Sequence, residues 1–437
     1  MNMKAMLLSV SVFAATVAYP ANSPVSDVCW TYDSDQRIVQ ITYSLSESAI
    51  VTIDVCTNGV VSIGSQNFTT LAGEVNKEVA TGNGHKILWF ADRDWSGHEI
   101  AESDLTVVVK AWTKAVPPDY LVVDLRLSHT ATSETLRYYA DAGAIPGGVT
   151  NDLYKTKKLV MRRIPASGVT WRMGSPSGET GRSKDPVEPE HYVSFDKDYY
   201  IGVYPVTMGQ YEQLCGFLPS RAMSDFDMSI VTNKAAHPVG GISYAYNKSD
   251  ATQTWLRGNS WPGSKEWNVS FFYSNGPIGK LCALSGIKFD IPTEAQWEYA
   301  CRAGTGTSFG SGKNCTSNKD DNPCVNMDEV GWYCKNTTTT QPVGLKKPND
   351  WGLYDMHGNV WEWCLDWYGT FSETISSDPV VNPSGAESNS DSKRVRKGGG
   401  YSSGAMYCRS ASRSSASDTG NYLNHGFRLC CPVPSNW

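Results

Sequence analysis

WGLYDMHGNVWEWCLD, residues 351–366, is the stretch on which the reading of this chain turns. Trp351, Trp361, Trp363 and Tyr354 supply large apolar area, and between them stand Asp355, Gly358, Asn359 and Glu362. Gly352 and Gly358 permit backbone conformations that side-chain-bearing residues resist. Carboxylates, an amide and a glycine turn boxed in by aromatics can hold a hard cation through side-chain and main-chain oxygens. The same residues can also make an aromatic-packed turn with no metal. The spacing is not that of an EF-hand, so this stretch alone leaves both readings open.

Upstream, Thr207-Met-Gly-Gln210 and Thr293-Glu-Ala-Gln296 both fit a T-x-x-Q capping box and predict helix starts. The second leads into Trp297, Ala300 and Cys301 at helical spacing, and Gly304 supplies a stop. LVMRRIPASGVTWRMGS (159–175) reads as a hairpin turning at Ala166-Ser167-Gly168, and VSFDKDYYIGVYPVT (193–207) as strand-like. Residues 305–350 are polar and turn-rich, the composition of an irregular functional or metal-organised connection. Downstream, the glycine run at 398–400, a small-polar segment and Gly426-Phe-Arg-Leu429 read as two strands joined by a long exposed loop.

Before residue 159 the pattern changes. RIVQITYSLSESAIVTIDVC (37–56) and DLTVVVKAWT (104–113) alternate apolar and polar side chains and are rich in Val, Ile and Thr. Turn signals at Asn58-Gly59, Gly82-Asn-Gly84 and Ser96-Gly97 punctuate them. This predicts an all-β immunoglobulin- or fibronectin-like sandwich over 25–130. Asp92, Asp94 and His98 there read as a polar turn. Residues 131–158 lose the alternation and read as a linker. Residues 2–18 carry one lysine, an apolar run and small residues ending at Ala18, the pattern of a signal peptide over 1–18. The expectation is an exported protein (secreted, periplasmic or cell-surface) that does not span a membrane once the signal is removed.

Net charge is -6 and the 38 basic residues are scattered, which argues against a nucleic-acid surface. Charged residues are only 19% of the 437, a composition of loop-rich extracellular folds rather than of helical cytosolic enzymes. Twelve cysteines are compatible with disulfides in such a compartment. Cys29 can pair with Cys56, and Cys315 with Cys324 across a polar loop. Connectivity does not follow from spacing.

Six segments then stand in order: MRRIPASGVTWRMGS, YYIGVYPVTMGQY, DIPTEAQWEYACRAGT, WGLYDMHGNVWEWCLDWYG, RKGGGY…CRSASR and GFRL. Together they resemble the formylglycine-generating enzyme family, or sulfatase-modifying factors, over about 159–431. The resemblance implies an α+β, loop-rich C-type lectin-like domain (159–437) with bound calcium. Carried onto this chain, the calcium ligands would be the side chains of Asp355 and Glu362 and the carbonyls of Gly358 and Val360. Family enzymes hold Cu(I) between two cysteines after the glycine motif and oxidise a sulfatase cysteine to formylglycine. Counted from Tyr401, those positions are Ser403 and Cys408. A serine hydroxyl is a poor ligand for Cu(I), so the copper pair is incomplete. Cys408 can also be a buried structural residue, or pair with Cys430 or Cys431.

The segment holding Ser402, Ser403, Met406, Tyr407, Asn421, Tyr422, Asn424 and His425 has the small-polar and aromatic composition of a binding loop. It also resembles the variable region of retroelement-diversified proteins of this fold. The expectation is a calcium-stabilised binding or surface module with a protein or glycan ligand. The alternative is a formylglycine-generating oxidase that uses Cu(I) and acts on an exported sulfatase.

Overall fold

The computed structural model describes residues 13–14, 23–57, 61–64, 67, 70–96, 105–113, 116–126, 135–183, 188–219, 233–245, 255–257, 276–319, 322–370 and 378–433. The fold is mixed α+β, rich in strands, with few and short helices. It divides into two units: 1–121 with 136–151 and 434–437, and 122–135 with 152–433.

In the first unit Val25–Asp33, Ile38–Leu45 and Gly82–Trp89 lie antiparallel in one sheet, with Leu71–Gly73 at its edge. Ala49–Thr57 pairs with Leu105–Trp112 in another, in register from Ile50↔Trp112 to Thr57↔Leu105. Alternation explains the burial. Val39, Ile41, Tyr43 and Leu45 of one sheet share a core with Val51, Val55, Val107 and Val109 of the other. Asp94 accepts hydrogen bonds from Thr70 N and Trp89 Nε1, so it holds a turn, as its sequence suggests.

In the second unit both capping boxes form. Thr207 and Gln210 satisfy each other at the head of Met208–Cys215, and Thr293 and Gln296 do so for Glu294–Arg302. The second helix ends one residue early: Ala303 takes the left-handed conformation (φ 47°), followed by Gly304. The 159–175 hairpin does not form. Lys158–Ile164 pairs with Tyr199–Gly202, whereas Thr170–Met173 pairs with His191–Ser194. Asp198 is the reason. Its Oδ1 accepts the amides of Ala166 and Ser167, and its Oδ2 pairs with Arg163 at 2.7 Å. The turn is therefore stapled to the next pair of strands, and 193–207 breaks into two strands there.

Residues 351–366 form His357–Gly358 and most of the strand Trp361–Trp367. That strand lies between Lys393–Lys397 and His425–Gly426, and Arg413–Ser417 completes the order. The small-polar tail thus contains a strand, Arg413–Ser417, paired along its length with Lys393–Lys397. Helix Glu294–Arg302 packs beneath, sealing Trp297, Ala300 and Cys301 into the core with Met356, Cys364 and Val395. Ionic side chains lie within that packing. Lys397 Nζ sits 3.0 Å from Glu298, Arg302 2.8 Å from Glu298, and Arg413 2.7 Å from Glu294. Burial opposes charge on Glu298, but Lys397 and Arg302 hold its carboxyl below the usual range.

Candidate functional site

The 351–366 turn is built on left-handed backbone at Gly352, Asp355, Gly358 and Asn359. At Gly358 a Cβ would run into the Trp332 carbonyl, so only glycine fits. Asn359 then ties the turn down. Its amide donates to Trp332 O at 2.8 Å, and its side chain bonds Gln341 N, Gln341 O and Asp355 Oδ1. Asp355 Oδ2 accepts the Gly344 amide at 2.7 Å. Burial pushes the Asp355 carboxyl up to about 6 despite those bonds and Arg428, and Glu362 adds to the rise.

Glu362 faces different partners. Oε2 accepts Trp297 Nε1 at 2.6 Å and Arg428 Nε at 3.0 Å, and Oε1 accepts Arg428 Nη2 at 2.9 Å. The same guanidinium reaches Gly202 O and Tyr354 O. Both side chains are fully buried, at 0 and 1% exposure. A carboxylate has about four lone-pair directions, so these three bonds leave Glu362 one. Asp355 and Glu362 thus place two buried carboxylates near a single guanidinium, a donor set with a negative excess that a divalent cation suits. Gly358 and Val360 are both buried within the same segment, Val360 packed beside Gly426.

His357 escaped the sequence reading. It is 3% exposed; Nδ1 donates to Cys408 O at 2.7 Å and Nε2 accepts the Gly310 amide at 3.0 Å. Burial holds it neutral, with its pKa down to about 4. Cys301 Sγ lies 3.7 Å from the same ring and 3.4 Å from Ser410 Oγ. Burial pushes that thiol up to about 12, and the Gly310 amide already occupies the Nε2 lone pair that faces it. A lone histidine inside an aromatic stretch carries no sequence signal of these contacts.

Ser403 and Cys408 are brought into one short segment that ends in the 3-10 turn Ala405–Cys408, but in different settings. Ser403 Oγ accepts the Gly400 amide at 3.1 Å. Cys408 is 0% exposed, and burial, with Cys334 and Cys324 as neighbours, pushes its thiol far up. Cys334 comes close because its amide donates to Ser403 O at 3.1 Å. The expected alternative of a Cys408 disulfide to Cys430 or Cys431 is not what the packing shows. Cys408 clusters with Cys315 and Cys324, Cys430 with the core around Trp297, and Cys282 neighbours Cys431.

The candidate binding loop divides in the same way. Tyr407 (39%) and Tyr422 (46%) are exposed, as is Ser402, and Asn424 Nδ2 donates to Ser402 Oγ at 3.2 Å, joining its two halves. Met406 and Asn421 are half-buried. His425 is buried: its ring lies tilted against Tyr422 (centroids 4.5 Å apart), meets Trp363 edge-on and bonds the Arg396 guanidinium. Among the described residues no helix is long and apolar enough to cross a membrane.

Comparison with known proteins places residues 156–432 in a match to the sulfatase-modifying factor enzyme 1-like domain. The chain is 27% identical to the formylglycine-generating enzyme of Bos taurus over 326 residues, 67% of this chain and 79% of that one. It is 38% identical to that of Streptomyces coelicolor over 151 residues, 32% and 45% of the two chains. It is also similar to a chaperone protein LppX of Paenibacillus barcinonensis, at 28% over 231 residues, 47% and 69%. Among solved structures, Treponema denticola variable protein 1 aligns with TM-score 0.46 at 23% identity, over 63% of this chain and 95% of that one. With the ordered motifs, the two capping boxes and the match over most of the second unit in hand, this chain belongs to the sulfatase-modifying factor family.

Proposed function

We propose that this chain is an exported binding module built on the sulfatase-modifying factor scaffold, in which the two positions that would hold copper have been turned to structural use. The observation that carries this is the pair Ser403 and Cys408. The first offers a hydroxyl that is already capping a backbone turn, and the second a thiol sealed from solvent and held protonated by burial. Soft-metal chemistry needs accessible thiolate. Around them the side chains open to solvent are Ser402, Tyr407 and Tyr422, which suits recognition of a protein or glycan through adaptable hydroxyls and aromatic faces.

The same proposal includes a calcium ion held by the carboxylates of Asp355 and Glu362 and the carbonyls of Gly358 and Val360, on a C-type lectin-like fold. It also includes an immunoglobulin- or fibronectin-like sandwich over 25–130, a linker over 131–158 and a signal peptide over 1–18. The buried negative excess at Asp355 and Glu362 supports the ion, and the core shared by two antiparallel sheets supports the sandwich.

A second reading has one observation in its favour: Cys334 lies beside Cys408 and could supply the thiol that Ser403 lacks. The test is an oxidation assay with purified protein, Cu(I), oxygen and a Cys-x-Pro-x-Arg peptide, with mass detection of the aldehyde. The expected result is no aldehyde. Turnover that vanishes in both Cys408→Ser and Cys334→Ser would replace the binding reading with a formylglycine-generating oxidase using a relocated thiol pair.

A further inference from the structure

Cys315 and Cys324 bracket an otherwise polar loop whose flanks at Asn314, Thr316, Lys319 and Asn322 are exposed. Both cysteines turn inward, at 2 and 0% exposure, and their sulfurs stand 4.0 Å apart. They share a core with Phe309, Tyr333, Ala405 and Cys408, so they lie directly against the segment that carries Met406 and Tyr407. Local bonds hold them face to face. Thr316 Oγ1 donates to Cys324 Sγ at 3.4 Å, and Cys324 N donates to Tyr333 OH at 2.8 Å.

We propose that Cys315 and Cys324 are a redox pair that closes into a disulfide and clamps the packing beneath the Ala405–Cys408 turn. The inference does not depend on the binding reading, because it concerns two thiols outside the Ser403 and Cys408 positions. The geometry is favourable: a bond of about 2.05 Å requires the sulfurs to approach by about 2 Å, a rotation of side chains that already touch. Thr316 donates its hydroxyl to Cys324 Sγ, which favours the thiolate there and makes Cys324 the attacking thiol, while Cys315, whose S–H donates to Ser317 O at 3.1 Å, is the resolving thiol.

The oxidant is a low-molecular-weight disulfide. The Cys324 thiolate attacks one of its sulfurs, forming a mixed disulfide and expelling one thiolate. Cys315 gives up its proton and attacks the Cys324 sulfur, expelling the second. Two S–H bonds become one S–S bond, and the oxidant takes up two electrons and two protons as two thiols. The exposed flanks put solvent and a small oxidant next to the pair, while the buried sulfurs resist exchange with a folded protein disulfide.

The test uses the full chain after equilibration with oxidised glutathione. Remaining thiols are alkylated, and the protein is digested without reduction and mapped by mass spectrometry. The expected result is a cross-linked peptide joining Cys315 to Cys324, neither alkylated, with the link unchanged in Cys334→Ala. Alkylation of either residue, or a link from either to Cys334 or Cys408, would overturn the proposal. A stability readout accompanies it. The oxidised protein should melt higher than the reduced protein, and Cys315→Ala/Cys324→Ala should lose that difference; an undiminished difference in the double variant would also count against the clamp.

Discussion

Replacing Arg428 with methionine tests whether the buried pair at the heart of the 351–366 turn is organised as described. Arg428 is 0% exposed and Glu362 1%, so neither charge has water to fall back on. The guanidinium makes two bonds to Glu362 and one each to Gly202 O and Tyr354 O. With calcium chelated, methionine fills much of the same volume but strands the Glu362 carboxylate, which keeps only Trp297 Nε1. Removing one partner of a buried pair costs about 3–5 kcal/mol, because an uncompensated charge remains. For a domain of this size that corresponds to a fall in melting temperature of roughly 10 °C. Glu362→Gln/Arg428→Met removes both charges, and glutamine can still accept from Trp297. It should recover about 1–2 kcal/mol relative to Arg428→Met alone, although Gly202 O and Tyr354 O still lose a donor. Urea unfolding of the single and double variants measures this directly. If the double variant is as unstable as Arg428→Met, or if Arg428→Met costs less than about 1 kcal/mol, the stranded-charge argument is wrong.

Other outcomes follow from the same geometry. Burial, with Glu294 adding to it, raises the Asp366 carboxyl to about 7, above its unfolded value of 3.8. Its stabilising, protonated form is present at low pH and is lost as pH rises toward 7. Asp366→Asn should therefore gain melting temperature at pH 8 relative to wild type and gain less at pH 5; an equal effect at both would reject the shift. His357, lowered to about 4, acts in the opposite sense, stabilising above 6.5 and costing stability as pH falls from there toward 4. His357→Gln should flatten that acid limb in melts from pH 4 to 7, and an unchanged limb would place it elsewhere. Chelation should lower the melting temperature and calcium restore it, with Asp355→Asn weakening the calcium isotherm at least tenfold; a silent titration calorimeter would remove the ion from the proposal. Once oxidised, the proposed Cys315–Cys324 bond closes a loop of about ten residues, and its reduction should cost about 3 kcal/mol on the chain-entropy account, read as a shift in the urea midpoint.

What the amino-acid order by itself determined is local. The capping boxes at Thr207 and Thr293 formed because a hydroxyl and an amide three residues apart satisfy each other's amides wherever the helix lies. The alternation in 38–45 placed Val39, Ile41, Tyr43 and Leu45 on one face because a strand's period is two. Six ordered motifs were enough for the family. Tertiary structure decided the rest, since the deciding partners are distant in the chain. The turn at Ala166–Gly168 reads as a hairpin until Asp198 takes its amides, 32 and 31 residues on. Glu362 reads as a free carboxylate until Arg428 arrives from 66 residues away and, with Trp297, takes all but one of its lone pairs. Cys408 reads as a lone thiol until the bond from Cys334 N to Ser403 O brings a second one beside it. A side chain's chemistry follows from who desolvates it and who shares its charge, and packing alone chooses those neighbours.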